Sequence, residues 1–261
     1  MSENLTQMAA IVDFIELLIW TGQLSDERPA SAIVVAPAGG GKTTMLEMVQ
    51  CKQAIYMGDL TARPLSGIVR GSEEVTHILL GDFLSMFGHK GATVKLTMRL
   101  VSQMTGESIG HDPWTGEEIK PRRIGLITAI PPEDFAKNSH TIYAGGFASR
   151  FLVIKYSYKS STISAIHKFI SENRYANTSP KKFLLKSPGP WSIKISNKLA
   201  NEIKDFGMSI KSDPLGFRAH RHLRALVKAE ARRNYHETAT QKHFLKVQSY
   251  LEFFSAEGKT I

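Results

Sequence analysis

Apolar and polar positions along the chain separate short buried segments from longer amphipathic ones. Short apolar runs predict strands at residues 33–36, 54–58, 75–80, 124–130 and 152–154. Apolar residues at helical spacing predict helices over residues 5–20 and 90–104, whereas Pro64 and Gly67 predict a break at 61–67. From residue 161 the pattern predicts basic helices, at 162–173, 196–208, 218–233 and 242–254.

Strands that alternate with helices are typical of an α/β fold with a parallel sheet between layers of helices. The change to helices alone after the last strand predicts a second unit. We therefore expect an α/β core with its N-terminal helix over residues 1–155 and a basic helical lid domain over 156–261.

A glycine-rich loop joins the first predicted strand to a helix-forming segment. Residues 36–44 match the phosphate-loop pattern G-x-x-x-x-G-K-[ST], except that Ala36 stands at the first glycine. Glycines let backbone N–H groups turn toward phosphate oxygens, because they accept positive φ angles and carry no Cβ. A chance glycine turn is the alternative, but the flanking strand and helix favour a nucleotide site. The predicted ATP-binding residues are Ala38, Gly39, Gly40, Gly41, Lys42, Thr43 and Thr44, with Lys42 at the β- and γ-phosphates and Thr43 on Mg²⁺.

Asp82 follows the apolar run that ends at Leu80. A carboxylate at the end of a buried strand can hold the hydration shell of Mg²⁺ or polarise the attacking water. The alternative is that Asp82 caps the next helix. Because a phosphate loop requires such a partner, the sequence favours Asp82 as a metal-site and catalytic residue.

Two further residues are candidates for catalysis. Thr128 lies inside a strand of buried type, so its hydroxyl needs a partner, which is either a water at the γ-phosphate or its own backbone. Arg150 directly precedes the last strand and can project toward the nucleotide of a neighbouring subunit. A guanidinium suits that position because it neutralises charge spread over the γ-phosphoryl oxygens. A structural ion pair is the alternative for Arg150.

A hairpin is predicted over residues 110–123, where Asp-Pro and Thr-Gly pairs signal turns. It would present Trp114 near its tip and Lys120, Arg122 and Arg123 on one arm. An aromatic ring beside cations can stack on a base and contact phosphate, which predicts a nucleic-acid-binding element. A surface hairpin whose tryptophan packs inward is the alternative.

The net charge of +9 is concentrated in the C-terminal part of the chain. Residues 1–155 hold 14 basic and 16 acidic side chains, whereas residues 156–261 hold 19 and 8. This excess suggests an anionic partner such as DNA, with a solvated lysine-rich surface as the alternative. Cys51 is the single cysteine, which fits a reducing, cytoplasmic setting without disulfides. The longest apolar stretch, at 8–20, is too short to span a bilayer, so no membrane association is expected.

Together these motifs resemble those of the AAA+ ATPases. The likeness consists of the phosphate loop, the acidic strand end at Asp82, the polar strand at 125–130, the Ser-Arg-Phe at 149–151 and the basic helical C-terminal part. The last two features are closest to minichromosome-maintenance-like helicases and to viral or phage replication ATPases. The resemblance implies ATP bound between an α/β domain and a helical lid, in a ring or helical homo-oligomer. It implies that Arg150 is the arginine finger of the next subunit's site and that Arg221, or else Arg218 or Arg224, is the sensor-2 residue acting in cis. It also implies a DNA-gripping hairpin.

The chain departs from the family at two positions of the site. Gly81 and Asp82 stand where the family has an Asp-Glu pair, which leaves one carboxylate, and Thr128 stands where the family has the sensor-1 asparagine. We therefore expect an oligomeric Mg²⁺-dependent ATPase that acts on DNA as a motor, helicase or loader in viral, phage or mobile-element replication, with a recruiting protein as a further partner. The alternative is a nucleotide-gated assembly scaffold that hydrolyses little ATP. A small-molecule phosphotransferase would leave the basic helices and Arg150 unexplained.

Overall fold

A computed structural model describes residues 6–71, 73–88, 91–106, 109–112, 115–143, 147–172, 185, 189–209 and 217–257. Within these ranges the strands are β1 (Ala32–Val35), β2 (Ala54–Met57), β3 (His77–Leu80), β4 (Ile109–His111), β5 (Glu118–Arg122), β6 (Gly125–Ile130) and β7 (Leu152–Lys155). The helices are α1 (Thr6–Thr21), α2 (Lys42–Met48), α3 (Ala62–Gly71), α4 (Gly91–Gly106), α5 (Pro132–Lys137), α6 (Ser139–Tyr143), α7 (Ser160–Ser171), α8 (Asn197–Ser209), α9 (Phe217–Arg233) and α10 (Gln241–Glu257). Short 3₁₀ segments span Phe83–Gly88 and Ala148–Arg150.

The centre of the fold is a five-stranded parallel sheet with the strand order β2-β3-β6-β1-β7. β6 lies between β1 and β3, because Thr128 is in register with Ile33 on one side and with Leu80 on the other. The carboxyl ends of β1, β6 and β3 are therefore neighbours at one edge of the sheet. The predicted α/β fold with a parallel sheet between helices is confirmed, and it is compatible with a phosphate-loop protein.

Both faces of the sheet are covered, which explains why its strands are apolar runs without alternation. Side chains of odd and even positions point to opposite faces. On one face Val34, Ile127 and Ile154 share a hydrophobic cluster with α1, α2, α9 and α10. On the other face Val35 and Ile130 pack with α3, α4 and the 3₁₀ segment that begins at Phe83.

The C-terminal helices share their core with the N-terminal part of the chain. Leu223 and Leu226 of α9 belong to the same buried cluster as α1 and the sheet. Lys228 pairs with Glu27 at 2.8 Å, and Arg233 pairs with Asp13 at 2.8 Å. Hence the C-terminal helices pack on the N-terminal part of the chain, and acidic groups of that part balance some of the basic excess beyond residue 155.

The break predicted at 61–67 is wrong, because α3 covers most of these residues. Pro64 lies in the first turn of α3, where a missing N–H costs no helical hydrogen bond. Leu65 and Val69 are buried and hold the helix against the sheet. Prolines also begin α5, which the sequence pattern did not predict. Among the described helices, none has the length and apolar character needed to cross a membrane.

Candidate functional site

The glycine-rich loop lies at the carboxyl end of β1 and leads directly into α2. Gly39 and Gly41 have φ angles of 73° and 71°, the left-handed region that glycine adopts without strain. Gly40 is required for space, because a Cβ there would lie 2.9 Å from the Pro37 carbonyl oxygen. The backbone N–H of Gly40 donates to that same oxygen at 3.0 Å. Gly39 and Gly41 are therefore required for their positive φ angles, and Gly40 is required for the space beside Pro37.

Lys42 bridges the two arms of this loop. Its Nζ donates to the carbonyl oxygens of Ala36 and Pro37, at 2.7 Å each. Burial lowers the pKa of Lys42, and the nearby carboxylates of Asp82 and Glu133 oppose that shift. Thr43 and Thr44 follow in the first turn of α2 with exposed side chains. The structure thus brings the predicted phosphate-loop residues together with Asp82.

Two tyrosines that the sequence interpretation missed support the loop from behind. The hydroxyls of Tyr156 and Tyr158 both donate to the Gly40 carbonyl oxygen, at 2.9 Å each. They lie two residues apart in the extended segment after β7, so both rings are on the same side. Burial raises the pKa of both phenols, which therefore remain protonated donors. With its carbonyl held, the Gly40 peptide has a fixed orientation.

Asp82 lies at the carboxyl end of β3, as predicted, and it also caps the following turn. Its Oδ1 accepts the Leu84 N–H at 2.8 Å, and its backbone oxygen accepts the Ser85 hydroxyl at 2.8 Å. The side chain is exposed and acts electrostatically on Lys42. One carboxylate oxygen of Asp82 therefore caps the turn after β3, and its charge acts on the loop lysine. Its role at a metal ion stays a prediction.

Thr128 is fully buried, with 0% of its surface exposed. Its Oγ1 has no hydrogen-bond partner within the described part of the chain, so the hydroxyl does not bond to its own backbone. A buried hydroxyl without a partner costs roughly 1–3 kcal/mol. Thr128 lies beside Leu80, two residues before the end of β6. On the other side of β6, Thr128 is in register with Ile33, three residues before the loop begins at Ala36.

Arg150 lies at the amino ends of the strands, opposite the loop. Phe151 separates it from β7, and it packs on the end of α4, where a Cβ at Gly106 would come within 3.0 Å of its Nε. Arg218 donates to the hydroxyl of Ser149. A cavity of about 420 Å³ opens here, lined by Arg28, Arg123, Arg150, Arg218, Arg221 and Arg224 together with Asp26 and Glu27. The arginines outnumber the carboxylates, so the cavity suits an anionic group.

Arg221 is the residue predicted to act in cis, and the structure places it in the arginine-rich cavity. It lines the same cavity as Arg150, at the amino ends of the strands, whereas the glycine-rich loop lies at the carboxyl ends. The strands are four to six residues long, so their two ends are roughly 13–20 Å apart at 3.3 Å per residue. This placement argues against a contact between Arg221 and a nucleotide on its own loop, and the same applies to Arg218 and Arg224.

The predicted hairpin is present, because β4 and β5 pair antiparallel, and its cations lie in different surroundings. Arg122 donates to the carbonyl oxygens of Ile68, Val69 and Val75, the last at 2.7 Å, so it fastens β5 to the end of α3. Burial lowers the pKa of Arg122. Arg123 lines the arginine-rich cavity and does not lie along the hairpin arm. Arg122 therefore has a structural role, and nucleic-acid contact by Arg122 or Arg123 stays a prediction.

Lys120 remains exposed on the hairpin and pairs with Glu73 at 3.1 Å. Trp114 lies outside the described residues. In the described ranges, no group of three or more His, Cys, Asp or Glu side chains is placed to hold a metal ion. Mg²⁺ that arrives with a nucleotide needs only one or two protein oxygens, so Thr43 and Asp82 fit such an ion.

No model of a known protein family matches this chain, and no curated protein matches it either. The assignment of a function therefore rests on the sequence motifs and on the geometry described above.

Proposed function

We propose that this chain is an AAA+ ATPase that binds ATP with Mg²⁺, hydrolyses it and works as a homo-oligomer. The observation that carries the proposal is the phosphate loop, with its two left-handed glycines, its bridging lysine and Asp82 at the adjacent strand end. The order of the strands gives further support, because it puts the ends of β1, β6 and β3 side by side.

Each site residue has a role in this proposal. Lys42 exchanges its two carbonyl partners for phosphate oxygens, and the loop N–H groups surround the same phosphates. Thr43 and Asp82 hold Mg²⁺, which supplies positive charge at the β- and γ-phosphates when it is bound. Thr128 donates or accepts one hydrogen bond to the attacking water. Phosphoryl transfer needs little more from a protein than such positioning and charge.

The arginine-rich cavity supports a site shared between subunits. Arg150 lies a full strand length from the loop of its own chain, so a nucleotide that it contacts must belong to another copy. Arg221 lies in the same cavity and would reach the same neighbouring nucleotide. In this arrangement the interface joins the carboxyl edge of one sheet to the amino edge of the next, which produces a ring or a helical filament.

DNA remains the proposed partner, on the strength of the family resemblance and of the basic C-terminal part. The intramolecular ion pairs of Lys228, Arg224 and Arg233 already neutralise part of that basic charge. A direct test is DNA binding at two salt concentrations, since phosphate contacts lose affinity steeply as salt rises. Binding that does not change with salt would contradict contacts from these helices.

A nucleotide-gated scaffold with little hydrolysis is the second candidate. It is favoured by one observation, the single carboxylate at the end of β3, of which one oxygen already caps the Leu84 N–H. Such a protein would assemble when ATP binds and would turn over slowly.

Steady-state ATP hydrolysis and sizing of the assembly separate these functions. The variants are Lys42→Ala and Arg150→Ala, with Lys52→Ala and Arg99→Ala as controls because both control side chains are exposed. We expect Lys42→Ala to lose ATP binding. Arg150→Ala should bind ATP but lose hydrolysis by about 10³-fold or more. Turnover by Arg150→Ala at the wild-type rate would refute the shared site, and ATP-dependent assembly without turnover by the wild type would favour the scaffold.

A further inference from the structure

The space next to Asp82 explains why the chain has glycine at position 81. A Cβ built on Gly81 would lie 2.0 Å from the hydroxyl oxygen of Tyr56 and 2.8 Å from its Cζ. The Tyr56 ring, held on the neighbouring strand β2, thus fills the volume that a side chain at 81 would use. A second carboxylate at this strand end would require Tyr56 to move.

Another carboxylate lies at the end of the strand between β1 and β3. Glu133 is exposed in the first turn of α5, three residues after β6 ends at Ile130. Ile130 is in register with Val35, and its carbonyl oxygen accepts the Ala36 N–H at 3.2 Å. Ala36 in turn accepts from Lys42 Nζ at 2.7 Å. A chain of short contacts therefore leads from the loop lysine to the segment that carries Glu133.

Glu133 and Asp82 approach the loop from two adjacent strands. Both carboxylates stabilise the charged form of Lys42, which opposes the effect of burial on the pKa of that lysine. Two other acids lie nearby. Glu47 of α2 acts on Tyr56, as Asp82 also does, and Asp134 follows Glu133 in α5. Asp82 and Glu133 are the acids that act on Lys42.

We infer that Glu133, placed by β6 beside the phosphate loop, supplies the second carboxylate that Tyr56 excludes from position 81, and that it activates the attacking water. This inference rests on the proposed ATPase function. In the step, the water oxygen forms a bond to the γ-phosphorus while the bond from that phosphorus to the bridging oxygen breaks. The bridging oxygen leaves with ADP. Glu133 accepts the proton of the water and later releases it to solvent, so charge and atoms balance.

The test compares Glu133→Gln with two matched controls, Asp134→Asn and Glu47→Gln. Each change removes one negative charge with little change in shape. We expect Glu133→Gln to lower single-turnover hydrolysis of MgATP by about 10²-fold or more, the usual range for loss of a general base. Its Kd for MgATP should stay within threefold of the wild type, and each control should hydrolyse within threefold of the wild type.

A second readout does not depend on the rate. Glu133→Gln isolated after mixing with MgATP should carry ATP, whereas the wild type isolated in the same way should carry ADP. Thermal unfolding of each variant shows whether it is folded, and Glu133→Asp should recover part of the lost rate. Hydrolysis by folded Glu133→Gln at the wild-type rate would overturn the inference while leaving the ATPase proposal intact. A wild type that does not bind ATP would overturn both, and one that binds without hydrolysing would overturn the role of Glu133 in activating water.

Discussion

The two tyrosines behind the glycine-rich loop are expected to stabilise the Gly40 peptide together. Tyr156 and Tyr158 donate to one acceptor, the Gly40 carbonyl oxygen, at 2.9 Å each. Tyr156 is almost fully buried, with 1% of its surface exposed, and Gly40 is buried as well. Substitution by phenylalanine removes each hydroxyl and keeps the ring, so the change isolates the hydrogen bonds.

The expected losses are not additive, because a carbonyl oxygen can accept two hydrogen bonds. With one hydroxyl removed, the carbonyl keeps its other donor. We expect Tyr156→Phe and Tyr158→Phe each to lower the free energy of unfolding by about 0.5–1.5 kcal/mol. With both removed, a buried acceptor has no donor, which adds roughly 1–3 kcal/mol beyond the sum of the single losses.

The assay is a double-mutant cycle of urea unfolding, with Tyr143→Phe as the control because that side chain is 56% exposed. In the double variant the loop has to be ordered when nucleotide binds. Its Kd for MgATP should therefore rise by up to about tenfold, the factor equivalent to 1.4 kcal/mol. Additive losses, or a double variant as stable as the wild type, would refute the conclusion that both hydroxyls support the Gly40 peptide.

Three further predictions concern stability. Burial, and to a smaller extent Asp13, raises the pKa of Glu16 from 4.5 to about 7. The folded chain therefore binds this proton more tightly than the unfolded chain does. The free energy of unfolding should fall as pH rises from 4.5 through 7. Glu16→Gln should remove that loss and raise the free energy of unfolding at pH 8 by about 1–3 kcal/mol, and an unchanged pH profile would contradict the assignment. Arg122→Ala should lower the free energy of unfolding in urea by about 2 kcal/mol, because three carbonyl oxygens lose a donor. The control Lys120→Ala should lower it by under about 0.5 kcal/mol. Equal effects of the two substitutions would be inconsistent with the structural role of Arg122. Gly81→Ala should lower the free energy of unfolding by about 1–2 kcal/mol, because its methyl group clashes with Tyr56. Tyr56→Ala in the same chain should relieve that clash. If Gly81→Ala causes the same loss in the Tyr56→Ala background, the loss has another cause.

Local patterns in the sequence were sufficient for much of the fold. The apolar runs predicted the five strands of the sheet, and the helical spacing predicted α1, α4 and the helices of the C-terminal part. The glycine-rich loop between β1 and α2 was predictable, because the positive φ angles of Gly39 and Gly41 and the close backbone approach at Gly40 require glycine. Turn-forming pairs predicted the hairpin. These features depend on neighbours within a few residues, so the sequence alone determines them.

The partners of side chains depended on which strand ends lie side by side. From the sequence, Arg122 is predicted as a surface cation, whereas in the structure it holds β5 against α3. Arg221 is predicted beside its own nucleotide, whereas in the structure α9 places it at the amino ends of the strands. Tyr156, Tyr158 and Glu133 carry no local signal. The two tyrosines contact Gly40 and Glu133 acts electrostatically on Lys42, in each case between residues more than 90 positions apart. The order of parallel strands is set by burial of both sheet faces, a property of the whole chain. Only the tertiary structure could decide which groups surround the loop.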